Sequence, residues 1–254
     1  MASGTFQIPE KLPWYAGPSL AKTFKSLRKY PIIPMAVLLL VLVLPAIFAD
    51  FVAPYDPLEG QLSARLSPPF WMAGGTSDHW LGTDKQGRDI LTRIIFGARI
   101  SLMVSISAIC IGGTIGTTLG LLGGSFGGKI DDGVMFVITC RLSIPLILVA
   151  LTVVALVGSS LTVVILTLGL LLWERFAVVS RAAAMRERNL DYVAAARAAG
   201  ASSFHILVRE ILPNILPQLL VVATLEMALA ILLEAALSFL GLGVPPPLPS
   251  WGLM

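Results

Sequence analysis

Apolar residues along this chain come in long blocks, each closed off by polar or proline-rich segments. A helix needs about 20 apolar residues to cross a hydrocarbon core of roughly 30 Å. Five blocks reach or approach that length, at 34–52, 100–122, 134–157, 161–179 and 215–240. The pattern predicts an all-α, polytopic membrane helix bundle with five spans. Ahead of the first block, Leu20, Phe24, Leu27 and Pro31 recur at helical spacing among Lys22, Lys25, Arg28 and Lys29. That pattern fits an amphipathic helix lying on the membrane surface within residues 1–33, or a disordered basic leader. A polar leader followed by a block long enough to span argues against a cleaved signal peptide.

Composition agrees with the blocks. Of 254 residues, 56% are hydrophobic and 13% charged, against about 25% charged in soluble domains; mean hydropathy is +0.85. A net charge of +3 makes nucleic acid no obvious partner. Charge placement sets the orientation. With the leader inside, twelve Lys and Arg lie on inner segments, including Lys129, Arg175, Arg181, Arg186, Arg188, Arg197 and Arg209; five lie outside, namely Arg65, Lys85, Arg88, Arg93 and Arg99. This bias predicts a cytoplasmic N-terminus and an external segment at 53–99. That segment carries Trp71, Trp80 and several prolines, and either contacts an external partner or packs on the bundle as a lid.

Chemistry-bearing patterns are few. Residues 123–129 read GGSFGGK, a partial match to a phosphate-binding loop. The match fails because Ile130 stands where Ser or Thr must reach magnesium, and a membrane helix precedes it in place of a strand; a tight inner loop with Asp131 and Asp132 is the expectation. His79 and His205 fall on opposite sides of the membrane, so no shared metal or catalytic site is expected. Cys110 and Cys140 lie inside apolar blocks and read as small packing residues. Ala108, Gly112, Gly116, Gly120 and Gly124 recur every four residues, a stride that lets helix backbones approach closely in lipid. Arg141, Glu226 and Glu234 are the intramembrane ionisable groups, costly there and often functional. Arg141, two turns into the third block, is placed to reach the inner interface. Glu226 and Glu234 are separated by about 80° around one helix. They line a solute path, pair with a neighbouring subunit, or snorkel to an interface.

The stretch 181–213 is too polar to span and too apolar for a linker. Asp191 to Ala199 reads as an alanine-rich helix, Gly200 as its C-cap, and Ser202 or Ser203 as the cap of a second helix over 204–212. This predicts a compact helix–Gly–helix hairpin whose small side chains let a partner approach closely.

The hairpin resembles the coupling segment, or EAA loop, of ABC importer permeases through Ala195, Ala196, Arg197, Gly200, Ala201, Ser202 and the closing Leu212-Pro213-Asn214. Ala194 stands where the family has Glu, so that glutamate's contact with the ATPase is not carried over, whereas the knob shape is. Leu81 to Leu102 (LGTDKQGRDILTRIIFGARISL) and Glu234 to Gly252 (EAALSFLGLGVPPPLPSWG) resemble the C-type permease subunit of dipeptide, oligopeptide and nickel importers. The resemblance implies a type I ABC importer permease fold, with five spans present of an expected six and a transmembrane domain over 100–254 incomplete at its C-terminus. It implies a bacterial cytoplasmic (inner) membrane location and an ATP-driven role in moving peptides or related small solutes. It implies coupling to ATPases through Ala195, Ala196, Arg197, Gly200, Ala201, Ser202 and Phe204. A homologous second permease, two ABC ATPases that hold ATP and Mg, and an external substrate-binding protein would be the partners, beside the lipid bilayer. On this reading the chain is no enzyme and binds no cofactor or metal itself. A channel or membrane scaffold without ATP coupling is the alternative, and it has no need of the hairpin.

Overall fold

The computed structural model describes residues 32–254; the surface helix expected within 1–33 lies almost wholly outside them. The first apolar block forms α1 (Ile32–Leu38), a π-helical turn (Leu39–Val43), α2 (Leu44–Ile47) and α3 (Ala49–Val52). The helix therefore breaks at Phe48, short of the continuous span expected over 34–52. By compactness the chain divides into 1–45 and 46–254.

The larger unit is organised around α4 (Ile90–Phe126). It begins ten residues before the expected boundary at 99/100. Asp89 caps it, accepting from Thr92 N at 2.8 Å, and His79 Nδ1 lies 3.0 Å from the other Asp89 oxygen. At the far end, Gly127 and Gly128 have φ of +69° and +55°. This is a left-handed conformation that glycine adopts without steric cost, and it reverses the chain directly into α5 (Gly128–Leu142).

α5 and α6 (Leu146–Val157) together cover the third apolar block, but they meet at 78°. Pro145 explains the bend: it disfavours helical geometry at Ile144 and cannot donate to the turn before it. α7 (Leu161–Leu171) and α8 (Glu174–Glu187) form one 27-residue apolar stretch past the expected end at 179, with an irregular step at Leu172 and Trp173. α9 (Asp191–Ala198) follows. Then α10 (Ser203–His205), a π-helical turn (Ile206–Ile211) and α11 (Leu212–Phe239) run as one 37-residue helical rod. Among the described residues, three helical stretches are thus long and apolar enough to cross a membrane, four if the bent pair counts as one. The first block contributes a shorter apolar helix, Met35–Ile47.

Helices α5, α7, α8 and α11 all pack on α4. Lipid tails are as apolar as leucine, so close van der Waals packing replaces hydrophobic burial as the force between spans. The glycine stride carries that packing. A Cβ added at Gly116 would lie 2.1 Å from the Trp173 carbonyl oxygen, and one at Gly120 would lie 2.4 Å from the Ala177 oxygen. Gly112 meets Leu172 O at 2.8 Å in the same way. α4 therefore runs against the backbone of α7 and α8. Two apolar clusters flank this contact. One joins Val104, Ala108, Val164, Leu168 and Leu237; the other joins Phe176, Ala184, Val193, Ile206 and Ile211. Cys110 and Cys140, expected as packing residues, instead lie on exposed faces of α4 and α5.

Gly116→Ala is expected to destabilise the detergent-solubilised chain by about 1–3 kcal/mol, because the added methyl meets backbone rather than a movable side chain. Gly133→Ala, with nothing within 4 Å of the added carbon, is the control and should be neutral or mildly stabilising. Thermal unfolding of the two variants side by side checks this.

Candidate coupling hairpin

α8 ends at Glu187, and Leu190 turns the chain into α9. α9 closes with a pair of hydrogen bonds: Ala201 N donates to Ala196 O and Gly200 N donates to Arg197 O, both at 3.0 Å. This six-to-one and five-to-two pair is the Schellman arrangement, which needs a left-handed residue between its donors. Gly200 supplies it with φ +84°. Ser202 then caps the second arm, its hydroxyl accepting from His205 N at 3.3 Å.

The two arms are fastened at their open end. Tyr192 donates its hydroxyl to Glu187 Oε2 at 2.9 Å and accepts from Asn214 Nδ2 at 3.3 Å. Asn214 also donates to Glu210 O at 2.6 Å. Arg186 pairs with Glu187 at 2.9 Å. One tyrosine therefore ties together the end of α8, the first arm and the start of α11. Burial pushes the Tyr192 hydroxyl up from its ordinary pKa, and the Glu187 carboxylate adds to that.

Apolar residues Val193, Ile206, Leu207 and Ile211 point inward and seat the hairpin on α8. The outward surface is made of Ala194, Ala195, Arg197, Gly200, Ser202 and Phe204, with Ala196 and Ala201 half-buried. Phe204 is 75% exposed at the tip. An exposed phenylalanine amid alanines is a knob, and Phe204 is its most exposed large apolar side chain, ahead of Val208. The second arm has no break before the span. Its π-helical turn ends with Leu212 N donating to Leu207 O. The wide turn accommodates Pro213, which cannot donate back to the preceding turn of an α-helix.

The two sequence stretches outside the hairpin prove to be neighbours. Trp251 Nε1 donates to Ile94 O at 3.1 Å, and a Cβ on Gly97 would come within 3.0 Å of the Trp251 ring. Ser101 Oγ donates to Glu234 Oε2 at 3.1 Å, and Ser238 Oγ to Glu234 Oε1 at 2.7 Å. Ser238 also accepts from Val244 N, and its oxygen lies 3.3 Å from Ser250 Oγ. Glu234 is fully buried, and it joins α4, α11 and the segment after α11. In the segment before α4, Asp84 accepts from Gln86 N at 2.8 Å, Arg88 N at 3.0 Å and Arg88 Nε at 2.9 Å, and it pairs with Arg93. Partial burial acts to raise its pKa, but the hydrogen bonds from Arg88 and Gln86 outweigh it and hold the carboxyl at about 2.

Glu226 is also buried, but its partner is a cation. Arg175 Nη1 lies 3.0 Å from Glu226 Oε1, an ion pair between α8 and α11. Arg141 does not run to the inner interface. Its Nη2 donates to Leu171 O at 2.6 Å, where α7 breaks from α8, and lies 3.9 Å from Glu174. Among the described residues no group of His, Cys, Asp or Glu is arranged to hold a metal. Sequence reasoning missed Tyr192 and Glu187 in the hairpin. Their only local signal is the five-residue separation across the turn between α8 and α9.

The model of the binding-protein-dependent transport system inner membrane component family matches residues 114–254. The chain is 42% identical over 216 residues to the di/tripeptide transport system permease DppC of Pseudomonas aeruginosa, covering 85% of this chain and 71% of that one. It is 37% identical to the glutathione transport system permease GsiD of Pectobacterium atrosepticum, covering 91% and 75%. Against the probable D,D-dipeptide permease DdpC of Escherichia coli it is 35% identical, covering 97% and 80%. Among solved structures, the MetNI methionine ABC transporter in an inward-facing conformation superposes with a TM-score of 0.53 at 24% identity, covering 60% of this chain and 76% of that one; this likeness concerns the fold. A multi-pass bundle, a family match over more than half the chain and high-coverage relatives that are all transporter permeases lead to one assignment. The chain belongs to the binding-protein-dependent inner-membrane component family, as an ABC importer permease subunit of the dipeptide and oligopeptide C type.

Proposed function

We propose that this chain is one of two homologous permease subunits that form a peptide pathway through a bacterial inner membrane, and that ATPases drive it through the 191–213 hairpin. Peptide is the solute because the relatives are named for dipeptides, di/tripeptides and glutathione, itself a small peptide. The N-terminus and the hairpin lie on the cytoplasmic side, in keeping with the twelve-to-five bias of Lys and Arg. An external binding protein delivers solute to the opposite face, where Phe70, Trp71 and Trp80 are exposed in the segment before α4. Two ATPase chains hold ATP and Mg; this chain supplies the path and the lever.

The continuity of the hairpin's second arm with α11 carries this reading. An ATPase gripping the Phe204 tip pushes on a rod that has no loop in which to lose the displacement. The Tyr192 clamp makes α8 move with it. Two spans thus respond together, as a rigid-body switch between two arrangements requires.

The test is purification of the tagged chain with its partners from the native membrane. Two ATPase chains should accompany the wild type. Phe204→Asp should lower the ATPase recovered by about tenfold or more, as loss of a central aromatic anchor does. Solute flux through a chain that brings down no ATPase and ignores ATP would establish a channel instead. Unchanged ATPase recovery with Phe204→Asp would move the docking surface away from the hairpin tip.

A further inference from the structure

Two ion pairs sit at similar depth in the bundle, and they are not equivalent. Arg175 lies roughly 21 Å along its helical stretch from Leu161, toward the inner end of a hydrocarbon core of about 30 Å. Arg141 and Glu174 are turned inward; their side chains are 12% and 11% exposed. Arg141 Nη2 and Nη1 donate to the backbone oxygens of Leu171 and Ile144, at the helix break and the bend. That pair completes the fold. The second pair is lopsided. Glu226 is 2% exposed at the side chain, whereas the Arg175 side chain is 60% exposed.

A guanidinium left open within an apolar helical stretch is costly in contact with lipid. It is tolerable facing a water-filled path. Arg175 stands at the mouth of a groove of ≈ 330 Å³, lined by Glu174, Arg175, Glu226 and the apolar side chains Val178, Val222 and Leu225. The groove opens on the surface of the chain, since Val178 and Leu225 are themselves exposed. Inside it, Glu226 Oε1 and Glu174 Oε2 are buried and accept no hydrogen bond. Arg175 meets Glu226 through Nη1, and its side chain, 60% exposed, keeps the rest of the guanidinium open.

We propose that Arg175 is a transit site for the carboxylate of the translocated solute, with Glu226 as the resting counterion that the solute carboxylate replaces and that recaptures the guanidinium as the solute leaves. The inference rests on the peptide-import reading above, since a peptide always presents a carboxylate of this kind. An ion pair with one partner buried and the other open suits the task. Glu226 neutralises the cation between cycles through Nη1, and an incoming carboxylate can form a charge-assisted hydrogen bond with the open part of the guanidinium. The apolar walls Val178, Val222 and Leu225 hold no donor that would retain the solute.

The experiment uses the complete importer, with its binding protein and ATPases, in proteoliposomes supplied with ATP and a dipeptide. Uptake by the wild type tests the peptide-import reading by itself, and the ratio of variant to wild type tests Arg175. Arg175→Gln combined with Glu226→Gln removes both charges and leaves no buried ion unpaired, so the complex should assemble. Its uptake should fall by about tenfold or more, while binding-protein-stimulated ATP hydrolysis is retained. Glu226→Gln alone leaves the guanidinium without a resting partner; KM and maximal uptake should both fall, because solute is held longer. Wild-type uptake by the double glutamine variant would overturn the proposal. Restored uptake in the charge swap Arg175→Glu with Glu226→Arg would also overturn it, by showing that only the pair matters. Loss of the second permease from the purified double variant would overturn it as well, by assigning Arg175 to subunit contact.

Discussion

Replacing Gly200 with valine is expected to give an importer that hydrolyses ATP with little or no solute uptake, or one that loses its ATPases on purification. The cause is local. Gly200 has φ +84°, and a left-handed conformation costs an L-residue roughly 1–2 kcal/mol, with a β-branched side chain the least tolerant. Nothing lies within 4 Å of the position its Cβ would take, so steric collision plays no part and the penalty is backbone strain. The chain relieves that strain by opening the Schellman turn, which frees Ala201 N and Gly200 N from Ala196 O and Arg197 O. Ser202 then caps the second arm at a different angle. Because that arm is the start of the 37-residue rod, the tip and the span lose their fixed relation. Asparagine tolerates the left-handed region, so Gly200→Asn should retain most of the uptake per ATP. The measurement is that ratio for the two variants in proteoliposomes. Equal, normal ratios would remove Gly200 from the coupling path, and equal losses would point to exposed surface rather than to the turn.

Gly200 was legible in the sequence because its signal is local: an alanine-rich helix, a glycine, then a serine cap. The apolar blocks were legible for a similar reason, since bilayer thickness sets their length. Their ends were not. Hydropathy registers the part of a helix that sits in lipid, whereas α4 starts at Ile90 on an Asp89 cap and α8 runs on through Arg181 to Glu187. Both overhangs are held by polar contacts that a hydropathy window discards, such as the Arg181 Nη2 bond to Asp131 at 2.6 Å. The bend between α5 and α6 had its signal in Pro145. The charged residues were legible as present but not as partnered. Glu226 and Glu234 look alike on a helical wheel, yet one meets Arg175 from α8 and the other is held by Ser101 and Ser238. Those partners are set by which helices pack on α4, and the spacing of residues within one helix does not carry that information.

The same limit applies to Arg141, whose loss should be the most damaging single change to stability among the intramembrane charges. Two irregular backbone points lie beside Arg141, the α5–α6 bend and the step between α7 and α8. Lipid offers no water to satisfy them, so irregular backbone persists there only where protein groups do so. Arg141 serves both: Nη2 donates to Leu171 O at 2.6 Å and Nη1 approaches Ile144 O at 3.4 Å. Glu174, 3.9 Å away and buried, is its counterion. Arg141→Leu leaves the Leu171 carbonyl without a donor and Glu174 without a cation. Removing one partner of a buried pair costs about 3–5 kcal/mol, a large share of the stability of an ordinary domain. The variant should be recovered from membranes in much lower yield, and what is recovered should unfold at lower temperature in detergent. Arg141→Met with Glu174→Leu removes both charges together and should regain part of the loss, because an apolar pair of similar volume leaves no ion unpaired. It should not regain all of it, since Leu171 O stays unsatisfied. Full recovery in the double variant would show that the carbonyl contact contributes nothing, and a stable Arg141→Leu single variant would show that the broken span holds itself together without this side chain.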